Sequence, residues 1–198
     1  MSWLERAEKE DDDEDARFIF LWITFNSLYG REVPDRREKP ERRLYKTFLR
    51  RLVDADENNL LGRLVSRRYR KSIIGLIENQ YVFQPFWEFQ SGKISETTWK
   101  RYFSSDRKRA LDAIRRGAIV DVLQITLDRL YVLRNQVIHG NATWRGRVNR
   151  EQIHRGAEIM AFLVPAFLHI VINRPDENWG EPQFKVVDRP IPAQEEEH

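Results

Sequence analysis

The 198-residue sequence has no cysteine, only two methionines, nine glycines, and 8 lysines against 26 arginines. The absence of cysteine excludes a disulfide scaffold, a thiol nucleophile and any cysteine-bound zinc or iron–sulfur centre. No glycine loop of the phosphate-cradling type occurs, and His154 has no acidic or histidine cluster around it in sequence. Neither a metal nor a cofactor is therefore expected. The longest apolar stretch, Met160 to Ile172, carries Pro165 and His169 and is shorter than the ~20 residues a membrane-spanning helix needs. Met1 to Asp15 is acidic, whereas a signal or transit peptide would be basic. The expectation is a cytoplasmic protein with no membrane partner.

What the chain does have is charge and aromatic mass. Hydrophobic residues make up 41% and charged residues 33%, and 11 Phe, 6 Tyr and 6 Trp exclude a disordered polyelectrolyte. The length fits one domain, which commonly takes roughly 100–200 residues and at that size buries about 70% of its surface. The net charge of +3 hides a polarised chain. Residues 1–30 sum to −5, residues 31–116 to +10 and residues 117–198 to −2. Arginine presents a planar fork suited to phosphate and carboxylate, so this basic middle is read either as a surface for an anionic partner or as a solvated helical surface rich in ion pairs.

Apolar spacing is helical almost throughout, and the expected class is all-α. Phe18, Leu21, Trp22, Phe25, Leu28 and Tyr29 recur in steps of three and four along one helix face, ended by Gly30. The acidic run Asp11 to Asp15 would sit at the positive end of that helix. A polar loop follows from Pro34 to Pro40. Further helices are expected over Pro40 to Val53, over Asn58 to Asn79 with a break near Arg67, from Ser95 as N-cap through Tyr102, and over Asp106 to Arg116. Tyr81 to Gln90 is aromatic, contains Pro85 and reads as an irregular packed segment. The longest clean helix runs from Ala118 to His139 and is closed by Gly140. A loop to Val148 leads to a last helix, Arg150 to Asn173, kinked at Pro165. The domain is placed at residues 1–173, with a helical insert at about 31–116 and an extended, proline-rich tail over 174–198.

Chemistry is concentrated at the end of the long helix, in Arg134-Asn135-Gln136-Val137-Ile138-His139-Gly140. At ~100° per residue, Arg134 falls within the apolar stripe of Ile119, Leu123, Leu127, Leu130 and Val137. A cation on a core-facing stripe is costly unless it is paired or reaches an anionic ligand. Asn135 and His139 share another face. Arg134 and His139 lie about 140° apart on an ideal helix. For both to serve one site, either the helix loosens before Gly140 or the site draws on two chains. Residue spacing alone also allows plainer roles, with His139 complementing the negative helix end and Arg134 bridging to a buried acid.

The stretch Arg134-Asn135-Gln136-Val137-Ile138-His139 resembles the Arg-Asn-x-x-x-His signature of the HEPN superfamily, helical domains named for higher eukaryotes and prokaryotes nucleotide-binding. Phe18-Ile19-Phe20-Leu21-Trp22-Ile23-Thr24-Phe25-Asn26-Ser27-Leu28-Tyr29-Gly30 is similar to the opening helix of its Apea-like branch, and the two matches occur in the family's order. The resemblance implies an antiparallel helical bundle of HEPN type that forms a homodimer through the motif helix. It also implies a metal-independent endoribonuclease with a composite site, acting on single-stranded or loop RNA as a toxin or defence nuclease. A base would take the proton of a 2′-hydroxyl, whose oxygen attacks the adjacent phosphorus while the 5′-oxygen leaves with a proton. The products would be a 2′,3′-cyclic phosphate and a 5′-hydroxyl. His139 is the natural proton-transfer group. Arg134 would neutralise the phosphorane, and Asn135 would orient His139 or donate to phosphate. Such a nuclease would have a cognate inhibitor protein as a further partner. Family members paired with nucleotidyltransferase antitoxins carry a tyrosine two positions after the histidine. Asn141 stands there in this chain, which speaks against that control. The alternative is a non-catalytic HEPN-like scaffold that binds a nucleotide or protein in the same groove.

Weaker candidates surround the motif. Asn26 lies on the apolar face of the first helix and would support the motif helix through a structural hydrogen bond. Arg107, Lys108, Arg109, Arg115 and Arg116 form a candidate phosphate-tracking surface, as do Arg145 and Arg147, with Trp144 available to stack a base. The aromatics from Tyr81 to Phe103 read as a hydrophobic plug, and His169 as a satisfied core histidine.

Overall fold

The computed structural model describes residues 2–29, 41–140 and 142–180. Among these residues it is helical without a strand, with nine α-helices in the order α1 (Ser2–Glu8), α2 (Glu14–Tyr29), α3 (Glu41–Ala55), α4 (Leu60–Arg63), α5 (Arg70–Ile77), α6 (Gln84–Gln90), α7 (Glu96–Arg116), α8 (Ile119–Ile138) and α9 (Arg150–Asn173). A π-helical turn, Leu64–Arg68, joins α4 to α5, and a short 3-10 turn, Gln80–Val82, precedes α6.

One core unites these elements. Trp22 and Phe25 of α2, Tyr45, Leu49 and Leu52 of α3, Ile73 and Leu76 of α5, Leu127 and Leu130 of α8, and Met160 and Phe167 of α9 are essentially closed to solvent. Residues 45–77, within the segment read as an insert, thus supply core. α2 and α9 lie side by side in the same direction, since Asp15 meets Arg150 at one end and the Phe25 ring meets Phe167 at 5.9 Å further along. α8 runs against them, with Tyr131 beside Trp22 at 6.2 Å. α9 is long and apolar enough to cross a membrane by length and composition alone, but its apolar residues are largely those buried against the other helices.

At Gly156, α9 packs tightly against side chains of α8 and α2. A Cβ there would meet Leu133 Cδ2 at 2.7 Å and Phe18 Cε2 at 3.2 Å. Gly156→Val is therefore expected to cost about 1–3 kcal/mol by overpacking. The measurement is a urea titration whose midpoint falls while its slope holds.

Helix ends follow local chemistry. Ser95 caps α7, its hydroxyl accepting the Thr98 N–H at 3.2 Å. Gly117 closes α7 at φ 65°, a left-handed conformation that glycine adopts without a Cβ clash, so α8 can start after only Ala118.

Several expectations are corrected. Two helices were expected between Ser95 and Arg116, but α7 is continuous, since nothing between Tyr102 and Asp106 breaks it. Tyr81 to Gln90 is ordered as the 3-10 turn and α6, with Pro85 at a first-turn position where its missing N–H costs nothing. α1 was not anticipated; it packs through Trp3, which stacks on Phe20 at 5.7 Å. The break near Arg67 is the π-turn, and α9 is helical on both sides of Pro165. Of the tail read as extended, residues 174–180 fold back onto α3, where Trp179 meets Phe48 at 6.1 Å and donates its indole N–H to Arg174 O. Gly30, the loop Pro34 to Pro40, Asn141 and the tail beyond Gly180 lie outside the described residues.

Candidate functional site

The motif occupies the last turn of α8. Its helical hydrogen bonding persists through the histidine, whose N–H donates to Asn135 O at 3.0 Å. His139 is the C-terminal cap at φ −87° and ψ 11°, and Gly140 turns the chain at φ 72°. The helix therefore does not loosen ahead of Gly140, and Arg134 and His139 keep their different helical faces. Arg134 is half-buried. Its Nη1 donates to Asn135 Oδ1 at 3.0 Å, its guanidinium lies 5.9 Å from the Tyr131 ring, and its buried Nε has no partner among the described residues. His139 is exposed, beside the half-exposed Ile138.

Gln136, within the motif, is buried and is the residue that ties the site together. Its Nε2 donates to Tyr81 O at 2.6 Å, and its Oε1 accepts from Asn149 Nδ2 at 3.2 Å. It thus links α8 to the 3-10 turn and to the start of α9. Sequence reasoning passed over Gln136 because a glutamine between two motif residues carries no periodic signal. It also passed over Arg129, which is 3% exposed. Arg129 reaches Asp106 at 2.8 Å and lies 4.2 Å from the Phe83 ring. This is the buried pair on α8 that was sought at Arg134, one and a half turns away.

The loop after the motif is held by the acidic start of α2. Trp144 donates its indole N–H to Asp13 Oδ2 at 2.7 Å, and Arg150 reaches Asp15 Oδ2 at 2.6 Å. Arg145 donates to Asp12 O at 3.3 Å, and its guanidinium sits 4.9 Å from the Trp144 ring. Arg145 has φ 52°, a strained value for a residue with a Cβ, which persists where surrounding contacts fix it. Trp144 remains 66% exposed, but its N–H is committed and its ring is shared with Arg145. Arg147 makes no ion pair among the described residues. A pocket beside this loop is lined by Asp15, Ala16, Ile19, Phe20, Val137 and Trp144.

Partial desolvation acts to raise the Asp13 carboxyl, but the Ala16 amide, the Trp144 indole and Arg145 outweigh it and hold the group below the ordinary carboxylate value. A carboxyl depressed in the folded state contributes stability above its unfolded value of about 3.9 and loses it as pH falls through the folded value. The loop should therefore stay docked through neutral and mildly acidic pH and release only at more acidic pH than that. Asp13→Ala removes both this anchor and the cap on Ala16 N–H, with an expected cost of about 1–2 kcal/mol. Faster amide exchange confined to residues 142–149 and the first turn of α2 would show it.

The remaining candidates are placed as follows. Asn26 is half-buried and accepts the Tyr29 hydroxyl at 2.7 Å, a contact inside α2. Of the α7 cluster, Arg107 is paired with Glu78, Arg109 with Asp106 and Arg115 with Asp112, while Lys108 and Arg116 make no ion pair among the described residues. His169, expected in the core, is exposed, because the helix turns it outward beside Asn173. His154, read as without an acidic or histidine cluster for a metal, is exposed and pairs with the single carboxylate of Glu14, which packing of α2 on α9 brings to it. No group of three or more His, Cys, Asp or Glu suited to a metal occurs among the described residues. Comparison of the chain with protein-family models, with curated proteins and with solved structures returns no match.

Proposed function

We propose that the chain is a HEPN-like, metal-independent endoribonuclease whose antiparallel helical bundle dimerises through α8. The observation that carries this reading is the unbroken end of α8. With His139 N–H still bonded to Asn135 O, Arg134 and His139 cannot meet by local unwinding. Convergence then requires the same residues of a second copy. Ile138, Trp144 and Val148, exposed by 50%, 66% and 71%, are the apolar contacts such a copy would cover.

In that site Arg134, steadied by Asn135, offers its remaining guanidinium donors to the phosphorane charge. His139, free of side-chain partners among the described residues, moves the proton of the 2′-hydroxyl or of the leaving 5′-oxygen. Gln136 holds the helix end in place. RNA incubated in EDTA should be cut to 2′,3′-cyclic phosphate and 5′-hydroxyl ends by the wild type and not by His139→Ala. Equal cleavage by both proteins overturns the mechanism. Absence of cleavage by either favours the non-catalytic scaffold, for which the same exposed apolar residues are the docking surface. Light scattering that returned the monomer mass of 23.8 kDa at micromolar concentration would remove the composite site.

A further inference from the structure

We infer that the π-turn and the start of α5, residues Arg67, Arg68, Arg70 and Lys71, form the surface that holds a single-stranded RNA backbone. The inference deepens the ribonuclease reading and rests on it for the choice of RNA as partner.

The argument begins with where arginines are neutralised. Along α7, Arg107, Arg109 and Arg115 each have a carboxylate partner, and Arg155 of α9 has Glu151. Asn58 to Ile77 differs, because no Asp or Glu occurs anywhere in it. Arg67, Arg68, Arg70 and Lys71 are all exposed, and none makes an ion pair among the described residues. Four charges within five consecutive residues repel one another, and no acid within helical reach relieves them. An anion with several regularly spaced charges would.

The backbone geometry presents them together. The π-turn is closed by Tyr69 N–H donating to Leu64 O at 3.0 Å, a wider turn of a kind often found at functional sites. Val65 and Ile73 anchor its two sides in the core. Between them Tyr69 stacks on Phe162 with 11° between the ring planes, and the Arg68 guanidinium lies 5.5 Å from the Tyr69 ring centre. The Tyr69 face stacked on Phe162 is closed to a base. The exposed groups here are the four cations, which suit phosphates rather than base edges.

Its position suits the motif. A groove runs along one face of α9 from Tyr69 and Phe162 to Arg17, His154 and Glu14, and Glu158 is among its lining residues. Glu14, already engaged with His154, starts the helix whose Asp15 holds Arg150 beside the motif loop. A strand held on the π-turn can follow this groove to the end of the molecule that carries His139.

The test is equilibrium binding of a fluorescein-labelled single-stranded RNA to the His139→Ala protein, followed by anisotropy over a range of salt. Replacing Arg67, Arg68, Arg70 and Lys71 together by glutamine should weaken binding about tenfold or more and flatten the log–log salt slope by about 1.4–2.8, the value for two to four lost phosphate contacts. Replacing Lys46, Arg50, Lys93 and Arg101 by glutamine removes the same charge elsewhere and should leave both nearly unchanged. The corresponding arginine-to-lysine variant of the π-turn should keep the salt slope, which guards against misfolding as the cause. Equal weakening by both glutamine sets, or none by the first, overturns the inference. So does binding to phosphatidylserine vesicles by a protein that ignores RNA. Because the binding protein is inactive by design, binding is read apart from cleavage: π-turn-dependent binding together with a wild-type chain that leaves RNA uncut would sink the enzymatic reading and leave this surface standing.

Discussion

Replacing His139 by alanine is expected to lower RNA cleavage by about 10²–10⁴-fold, the usual contribution of a positioned general acid or base. The loss should fall on turnover, because the substitution removes a proton carrier and leaves the bound backbone contacts in place. It should leave the fold intact, since His139 is exposed at the end of α8 and its side chain makes no hydrogen bond or ion pair among the described residues. Arg134 is a different case. It is half-buried, bonded to Asn135 and adjacent to the Tyr131 ring. Arg134→Ala is expected to lose about 10²–10³-fold in turnover, as for removal of one donor to developing charge, together with some packing. Arg134→Lys separates these effects, because it keeps the charge and loses the fork. Full cleavage by Arg134→Lys would show that a point charge suffices. Unchanged circular dichroism with lost cleavage in His139→Ala would place the effect in chemistry.

Trp22→Ala is expected to be the most damaging single core substitution, at about 3–5 kcal/mol. Trp22 is 1% exposed and sits among Phe18 at 6.3 Å, Phe25 at 5.6 Å and Tyr131 at 6.2 Å. Truncation leaves a cavity where α2 meets α8, and the neighbouring rings close it only in part. With about 2–4 °C of melting temperature per kcal/mol in a protein of this size, the shift should be about 6–20 °C. Trp22→Phe is the informative partner. The indole N–H is buried without an acceptor among the described residues, so phenylalanine removes that polar group while keeping most of the ring. Its cost should stay below about 1.5 kcal/mol. A loss with phenylalanine as large as that with alanine would mean that the indole N–H has a partner the ring packing does not reveal. Tyr131 lies one turn before Arg134, so Trp22→Ala should also weaken cleavage through loosened placement of the motif.

The helical class was legible because the signals for it are local. Phe18 to Tyr29 repeat at helical spacing, Ser95 carries a capping hydroxyl, and Gly140 can take the left-handed turn that ends α8. Where a local signal was over-read, the sequence misled. A helix through Tyr102 was read apart from one over Asp106 to Arg116, yet nothing between them costs the helix a hydrogen bond. Pro85 suggested irregularity, yet it stands in the first turn of α6, where proline is tolerated. The motif was legible in part. Its residue types and a helix running to His139 before Gly140 could be read directly, whereas whether that last turn loosens was left open and depends on backbone geometry.

Partner choice was the least legible layer. Two of the α7 arginines have acids three residues away, so their neutralisation was within reach of the sequence; that of Arg107 by Glu78, 29 residues distant, was not. Trp144, offered as a base-stacking side chain, is bonded to Asp13 across 131 residues. His154 and Glu14 meet only because α2 lies along α9. Helical class, freedom from thiol chemistry, a basic middle and an Arg-Asn-x-x-x-His helix end all belong to the sequence itself, because composition and short spacing determine them. Which cations stay unpaired, which faces of α8 are buried, and how the motif loop is tied to the acidic start of α2 were decided by the tertiary structure alone. Those properties depend on distances between side chains remote in the chain, and residue periodicity carries no measure of such distances.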